Sequence, residues 1–307
     1  MSDTTPSVVP DNLQGLLLVI VATLCWSTSG IFINLITDAT GISAVGLAFW
    51  RDLSTFLILL GGLSILQPKY RRVDREDLPW LMAMGAISIG TFHILWNTSV
   101  VVIGASLATV MQSNAPIFVT VMAWFLFKEP LTTRKILAVI LAAIGTFFIA
   151  GIHGQGNIQV TTGGMLIALG SAITYGTLSL FGKKLSRNYS SWTILLYIFG
   201  FGTLTLLPFQ FNRSLPANIT PDVLLLFLGF LFISTISGFG LYTSGLMKLQ
   251  ASVASITATT EILFAAVLAY FFLNERLDMW QIIGSIFIIS GVVLVTIHNN
   301  GKANKGS

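Results

Sequence analysis

Glu261 stands near the middle of an apolar run over 251–273. An ionised carboxylate at that depth costs about 2.5–3.5 kcal/mol on insertion scales, so it normally faces a cavity or a partner. Recognition of a substrate ammonium and transfer of a coupling proton are the chemistries open to it; a structural hydrogen bond is the plain alternative. His93, inside the run 79–101, is read either as a packed, hydrogen-bonded ring or as a proton carrier. Arg51 and Asp52 are neighbours inside the run 44–66. Consecutive helical residues point roughly 100° apart, so each is expected to need its own partner. An outer-leaflet anchor or an interhelical pair is the main expectation for these two, with a substrate carboxylate as the second.

Neutral polar groups recur at helical spacing around these charges. Trp26, Ser27, Gly30 and Asn34 share a face, as do His93, Trp96 and Asn97, and Ser171, Thr174 and Tyr175. Thr235, Gly238 and Tyr242 form another such set, and Thr257 pairs with Glu261. Such residues either line a cavity or hold helices together. Trp26 and Tyr175 lie too close to the centres of their runs for an interfacial belt, whereas Trp50, Trp80, Trp124, Trp192 and Trp280 lie nearer run ends, as belt residues do. Trp96 and Tyr242 are intermediate in depth and are read as gates or anchors. Planar solutes would stack on Trp26 and Tyr175, within reach of the neutral donors Asn97, Gln112 and Asn114. The expected substrate site is therefore Trp26, Tyr175, Trp96, Tyr242, His93, Asn97, Gln112, Asn114 and Glu261.

These residues can be positioned only by helices in a membrane. Of the 307 residues 54% are hydrophobic and 9% charged, far below the roughly 25% charged residues of soluble domains. Ten apolar runs are expected as helices: 13–36, 44–66, 79–101, 104–127, 134–152, 163–181, 192–211, 223–247, 251–273 and 279–298. They are too long and too uniformly apolar for barrel strands. Thirteen of the 16 Lys and Arg fall on one side if the N-terminus is inside, so both termini are expected in the cytoplasm. The tail 1–12 contains no Lys or Arg and does not read as a signal-peptide start.

The chain repeats itself. At an offset of 146 residues, Ala108, Phe118, Phe125, Glu129, Leu131 and Gly145 land on Ala254, Phe264, Phe271, Glu275, Leu277 and Gly291. At an offset of 149, Gly15, Thr28 and Phe32 land on Gly164, Thr177 and Phe181, and Trp26 lands on Tyr175. Each copy holds five crossings, an odd number, so the second must lie inverted relative to the first. Inverted repeats place a site near the bilayer midplane that either half exposes by rocking. The expected division is a cytoplasmic tail 1–12, a first five-helix unit 13–152, an outer linker 153–162, a second unit 163–298 and a cytoplasmic tail 299–307. Gly145 and Ala138 superpose on Gly291 and Gly284, small faces that suit scaffold or dimer contacts through helices 5 and 10. Lys128-Glu129 and Asn274-Glu275 read as solvated turns between helices.

Pro116, Phe127-Lys128-Glu129-Pro130-Leu131 and Gly145, echoed by Glu261, Leu273-Asn274-Glu275-Arg276-Leu277 and Gly291, resemble the twin EamA domains of the drug/metabolite transporter superfamily. The resemblance covers nearly the whole chain. It implies an all-α polytopic bundle of ten transmembrane helices, arranged as two inverted five-helix repeats around a central cavity. Ile262 stands where that pattern has proline, which removes the usual reason for a kink in helix 9. As a whole the chain is similar to the bacterial aromatic amino acid exporters of the YddG branch. That similarity implies export of aromatic amino acids and related apolar metabolites by alternating access, across a bacterial inner membrane.

No nucleotide-binding, metalloprotease or nucleophile-elbow motif occurs in a fitting context, so no enzyme, metal site, cofactor or nucleic-acid partner is expected. The lone Cys25 permits neither a disulfide framework nor a cysteine metal site. The expected partners are a small-molecule substrate, the lipid bilayer and a second copy of the chain. Other amphipathic solutes such as drugs, amines or nucleoside-like compounds are the alternative cargo, and a receptor or structural membrane protein is the alternative class.

Overall fold

The computed structural model describes residues 11–103, 105–149, 161–210, 219–272 and 279–303; most of the 153–162 linker, the Asn274-Glu275 turn, residues 1–10 and residues 304–307 lie outside them. Ten helices account for nearly all the described residues, and there is no strand among these. They are α1 (Asp11–Ser27 continued by Ser29–Thr40), α2 (Ala44–Leu66), α3 (Leu78–Ile103), α4 (Ala105–Gln112 continued by Ala115–Phe127) and α5 (Thr133–Ile149). The second half holds α6 (Thr162–Leu185), α7 (Ser191–Gln210), α8 (Pro221–Lys248), α9 (Ala251–Ala258 continued by Thr260–Phe272) and α10 (Met279–Ala303). Eight of these are long and apolar enough to cross a bilayer, and α5 and the apolar part of α10, Met279–Val295, are shorter. A helix satisfies every backbone donor within its own segment, which is why apolar runs of this length take this form in lipid.

The duplication is visible in the backbone. A π-helical segment, Met84–Thr91, widens α3, and another, Phe230–Ser237, widens α8 at the same 146-residue offset. The interruption of α4 at Ser113-Asn114 likewise recurs in α9 at Thr259. In α4 the cause is Pro116, which lacks an amide; Asn114 Nδ2 donates to the carbonyls of Val110 at 3.0 Å and Met111 at 3.1 Å. Without a proline, α9 breaks all the same. Thr259 Oγ1 donates to Ile256 O at 2.7 Å and Thr260 Oγ1 to Thr257 O at 2.8 Å, so hydroxyls take up carbonyls that the helix would otherwise use. The first helices of the two halves differ: α1 is interrupted at Thr28, whereas α6 runs unbroken.

One hydrogen bond is made twice across the pseudo-twofold. Ser88 of α3 meets Thr177 of α6 at 2.6 Å, and the equivalent Ser234 of α8 meets Thr28 of α1 at 2.7 Å. Each half thus packs its third helix on the first helix of the other, and the halves interleave. Helices α5 and α10 instead pack on each other. A methyl on Gly145 would lie 2.6 Å from Gly284 O, and one on Gly284 would lie 2.5 Å from Gly145 O. The small face is therefore buried within the chain as scaffold.

Glu129 departs from expectation. Rather than sitting in a solvated turn it is 7% exposed, and its carboxylate accepts hydrogen bonds from the amides of Ala251 at 2.8 Å and Ser252 at 3.4 Å and from the Ser252 hydroxyl. Lys135, 3% exposed, lies 3.2 Å away. Lys128 is the one non-glycine residue with positive φ among the described residues, at 57°, and it turns the chain so that Glu129 can reach the start of α9. Gly15 packs nearby on Lys248 and Leu249. These contacts tie α1, α5, α8 and α9 together at the Lys- and Arg-rich end of the bundle, where α1 and α9 begin.

Candidate functional site

The interruptions surround a cavity. Ser27 and Gly30 beside the break in α1, Gln112 and Ser113 at the break in α4, and Thr259 and Glu261 at the break in α9 line a space of about 290 Å³. Irregular backbone at membrane depth is tolerated only where it is buried in protein or lines such a space. Its walls are Trp26, Trp96 and Tyr175. A second lobe of about 130 Å³ shares Trp26, Trp96, Gln112, Tyr175 and Glu261 and extends to Phe92, His93, Asn97 and Arg51. It also touches Ala44, Leu47 and Ala48 at the start of α2, so the space is displaced away from the basic end.

Trp26 anchors the aromatic wall and is 5% exposed. Its ring lies 6.4 Å from Tyr175, 5.0 Å from Phe239 and 4.8 Å from Tyr242, and Phe92 lies 5.1 Å from Tyr175. Aromatic pairs at these separations contribute about 0.5–1.5 kcal/mol each beyond burial. The wall is held from behind by a glycine: a methyl on Gly238 would lie 2.5 Å from Trp26 Cδ1. Tyr242 is 2% exposed, bonded to Ser179 at 2.6 Å, and stands behind Trp26 instead of at the membrane surface. Trp96 borders both lobes, and its buried Nε1 has no acceptor among the described residues. The five tryptophans assigned to the belt are all well exposed on the outside of the bundle.

Polar groups meet this wall unevenly. Tyr175 Oη donates to Glu261 Oε2 at 3.3 Å, which joins the two most central of the expected residues. Gln112 borders both lobes, and Asn97, whose Nδ2 donates to His93 O at 2.6 Å, borders the second. Asn114 does not reach either lobe, because its amide is held by the carbonyls of its own helix. Seven of the nine expected residues thus border one space, with Tyr242 behind it and Asn114 outside it. Among the described residues, no three His, Cys, Asp or Glu side chains converge as a metal site would require.

Arg51 and Asp52 do not take separate partners. Arg51 Nε and Nη2 both bond Asp52 Oδ1, at 2.9 and 2.8 Å, because the long arginine arm folds back across the angle between neighbours. Arg51 Nη2 also meets His93 Nε2 at 2.8 Å, and His93 Nδ1 lies 3.6 Å from Asp52 Oδ2. Arg51 belongs to the cavity lining although spacing alone did not assign it there; its charge within an apolar run was the available signal.

Residues 13–151 and 162–297 match the EamA-like transporter family. An uncharacterized inner membrane transporter, YicL, of Salmonella typhimurium is 25% identical over 94% of this chain and 97% of its own length. A probable terminal-alkyne amino-acid exporter of Streptantibioticus cattleyicolor is 25% identical over 94% of this chain and 95% of its own. A protein of known crystal structure superposes with a TM-score of 0.77 at 15% identity, covering 92% of this chain and 96% of that one, and shares the fold.

Proposed function

This chain belongs to the EamA-like transporter family, and from that premise we propose that it is a secondary transporter exporting aromatic amino acids and related small apolar metabolites by alternating access. The observation that carries the reading is the cavity at membrane depth, walled by Trp26, Trp96 and Tyr175 and bordered by Glu261. Its volume, about 290 Å³, is at the small end of the roughly 300–1,000 Å³ of small-molecule sites and suits one planar side chain. Glu261 would meet the ammonium of an amino acid, and Gln112 and Asn97 would supply neutral polar contacts. The similarity to an amino-acid exporter supports cargo of this class.

If both termini are cytoplasmic, the basic end held by Glu129 faces inward and the cavity lies toward the outside, an outward-facing arrangement. The inward-facing state then requires the contacts of Glu129 with α9 to part. A homodimer through α5 and α10 would use their lipid-facing isoleucines, since their glycine face is buried within the chain.

Counterflow in proteoliposomes tests the reading. Vesicles preloaded with unlabelled tryptophan or phenylalanine are expected to accumulate the labelled amino acid, whereas threonine and an organic cation drive no exchange. Equal exchange of all four, or of the cation alone, would reject the aromatic assignment. A pH gradient imposed on the same vesicles shows whether protons couple to the movement.

A further inference from the structure

The Arg51 guanidinium is held by Asp52 on one edge and left open on another. Nε and one Nη2 hydrogen are directed to Asp52, and Nη2 also meets His93. Nη1 makes no hydrogen bond with any described residue, and it is not among the fully enclosed unpartnered atoms. Arg51 is 7% exposed, and the space it touches is the second lobe of the cavity.

The three charged or titratable groups are arranged in depth. Arg51 and His93 line the lobe, whereas Asp52 is 0% exposed, lies behind them and is packed against Gly202 of α7. The pair therefore presents its donor end to the cavity and its acceptor end to protein. The ring of Phe230 lies 5.4 Å from Arg51 Cζ, closing one face of the guanidinium. A guanidinium fixed on several sides loses little freedom when its remaining edge meets a planar anion, and the surrounding apolar walls raise the strength of that contact. Glu261, the one carboxylate bordering both lobes, lies elsewhere on the same surface.

We propose that Arg51 Nη1, held in place by Asp52 and His93, is a carboxylate subsite, so that the cavity accepts solutes bearing an anionic end at Arg51 and a cationic end at Glu261. This assignment rests on the transport reading above and defines which end of the solute meets which helix: the carboxylate meets α2, the ammonium α9 and the apolar body the wall of Trp26 and Tyr175. The site discriminates by charge position as well as by ring shape.

Three probes isolate the ends: phenylalanine, phenethylamine with its carboxylate missing, and 3-phenylpropionate with its ammonium missing. Their equilibrium binding is measured on the purified full chain in detergent. In Arg51→Lys, which keeps the charge pair with Asp52 but removes the planar donor edge, 3-phenylpropionate is expected to bind at least tenfold more weakly, and phenethylamine to change less than threefold. In Glu261→Gln the pattern reverses. The neutral double variant Arg51→Gln with Asp52→Asn, which leaves no buried charge unpaired, is expected to repeat the Arg51→Lys pattern. Retention of 3-phenylpropionate binding in both Arg51 variants overturns the assignment, as does an equal loss of all three probes. Failure of the unaltered protein to bind any of the three overturns the transport reading together with the subsite, whereas binding of all three without dependence on Arg51 overturns the subsite alone.

Discussion

Glu129 Oε1 accepts the main-chain N–H of Ala251 at 2.8 Å, so a carboxylate from the first repeat caps the first turn of a helix in the second. An anion at a helix N-terminus meets unpaired amides and the positive end of the helix dipole. The same carboxylate neutralises Lys135. One buried side chain thereby joins α5, α9 and the turn after α4 at the Lys- and Arg-rich end of the bundle.

Glu129→Ala is expected to lower stability by about 3–5 kcal/mol, since it removes a buried ion pair with Lys135 as well as uncapping α9. Lys135→Ala should cost less than that, and the double variant should cost less than the sum of the two. Thermal unfolding of the four proteins in one detergent checks the cycle; strict additivity would show that the pair does not interact.

Gly238→Ala is expected to weaken binding of aromatic solutes by roughly tenfold, because the added methyl would lie 2.5 Å from Trp26 Cδ1 and drive the indole into the cavity. Equilibrium binding of tryptophan before and after the change measures it. Gly61→Ala, away from the cavity and where an added methyl meets nothing within 4 Å, is the matched control and should leave binding and fold intact.

Tyr175→Phe removes the donor of one 3.3 Å hydrogen bond, and Glu261→Gln keeps an acceptor there but removes its charge. Glu261→Gln should reduce counterflow at least tenfold, as the group meeting the ammonium, whereas Tyr175→Phe keeps the ring and should reduce it only a few-fold. An unchanged rate and pH profile in Glu261→Gln would remove this residue from the transport cycle.

Gly145→Leu is expected to unfold or misassemble the α5 and α10 pair, since even a methyl would approach Gly284 O to 2.6 Å. The loss should appear as a lower thermal midpoint and reduced yield of the full chain. Gly163→Leu, where an added methyl meets nothing within 4 Å, should show neither.

Much of this architecture is legible in the order of residues. Apolar runs near 20 residues force helices, because lipid offers no partner for an exposed amide. The 146-residue offset that joins Glu129 to Glu275 in sequence also joins the π-segments Met84–Thr91 and Phe230–Ser237 in the folded chain. Trp26, Tyr175 and Glu261 were identifiable from depth and type alone, since a midplane indole or carboxylate gains little by facing lipid. The break in α9 was not, because two threonine hydroxyls do there what proline does in α4.

Periodicity and composition therefore settle which segments cross the membrane, how the two halves correspond and which side chains are costly to leave in lipid. They do not settle pairing. Whether Arg51 turns to Asp52 or away, whether Asn114 faces the cavity or its own helix carbonyls, and whether Glu129 meets water or the start of α9 depend on side-chain reach and on which helix lies opposite. Those choices are made between residues distant along the chain, and they exist only once the two repeats interleave.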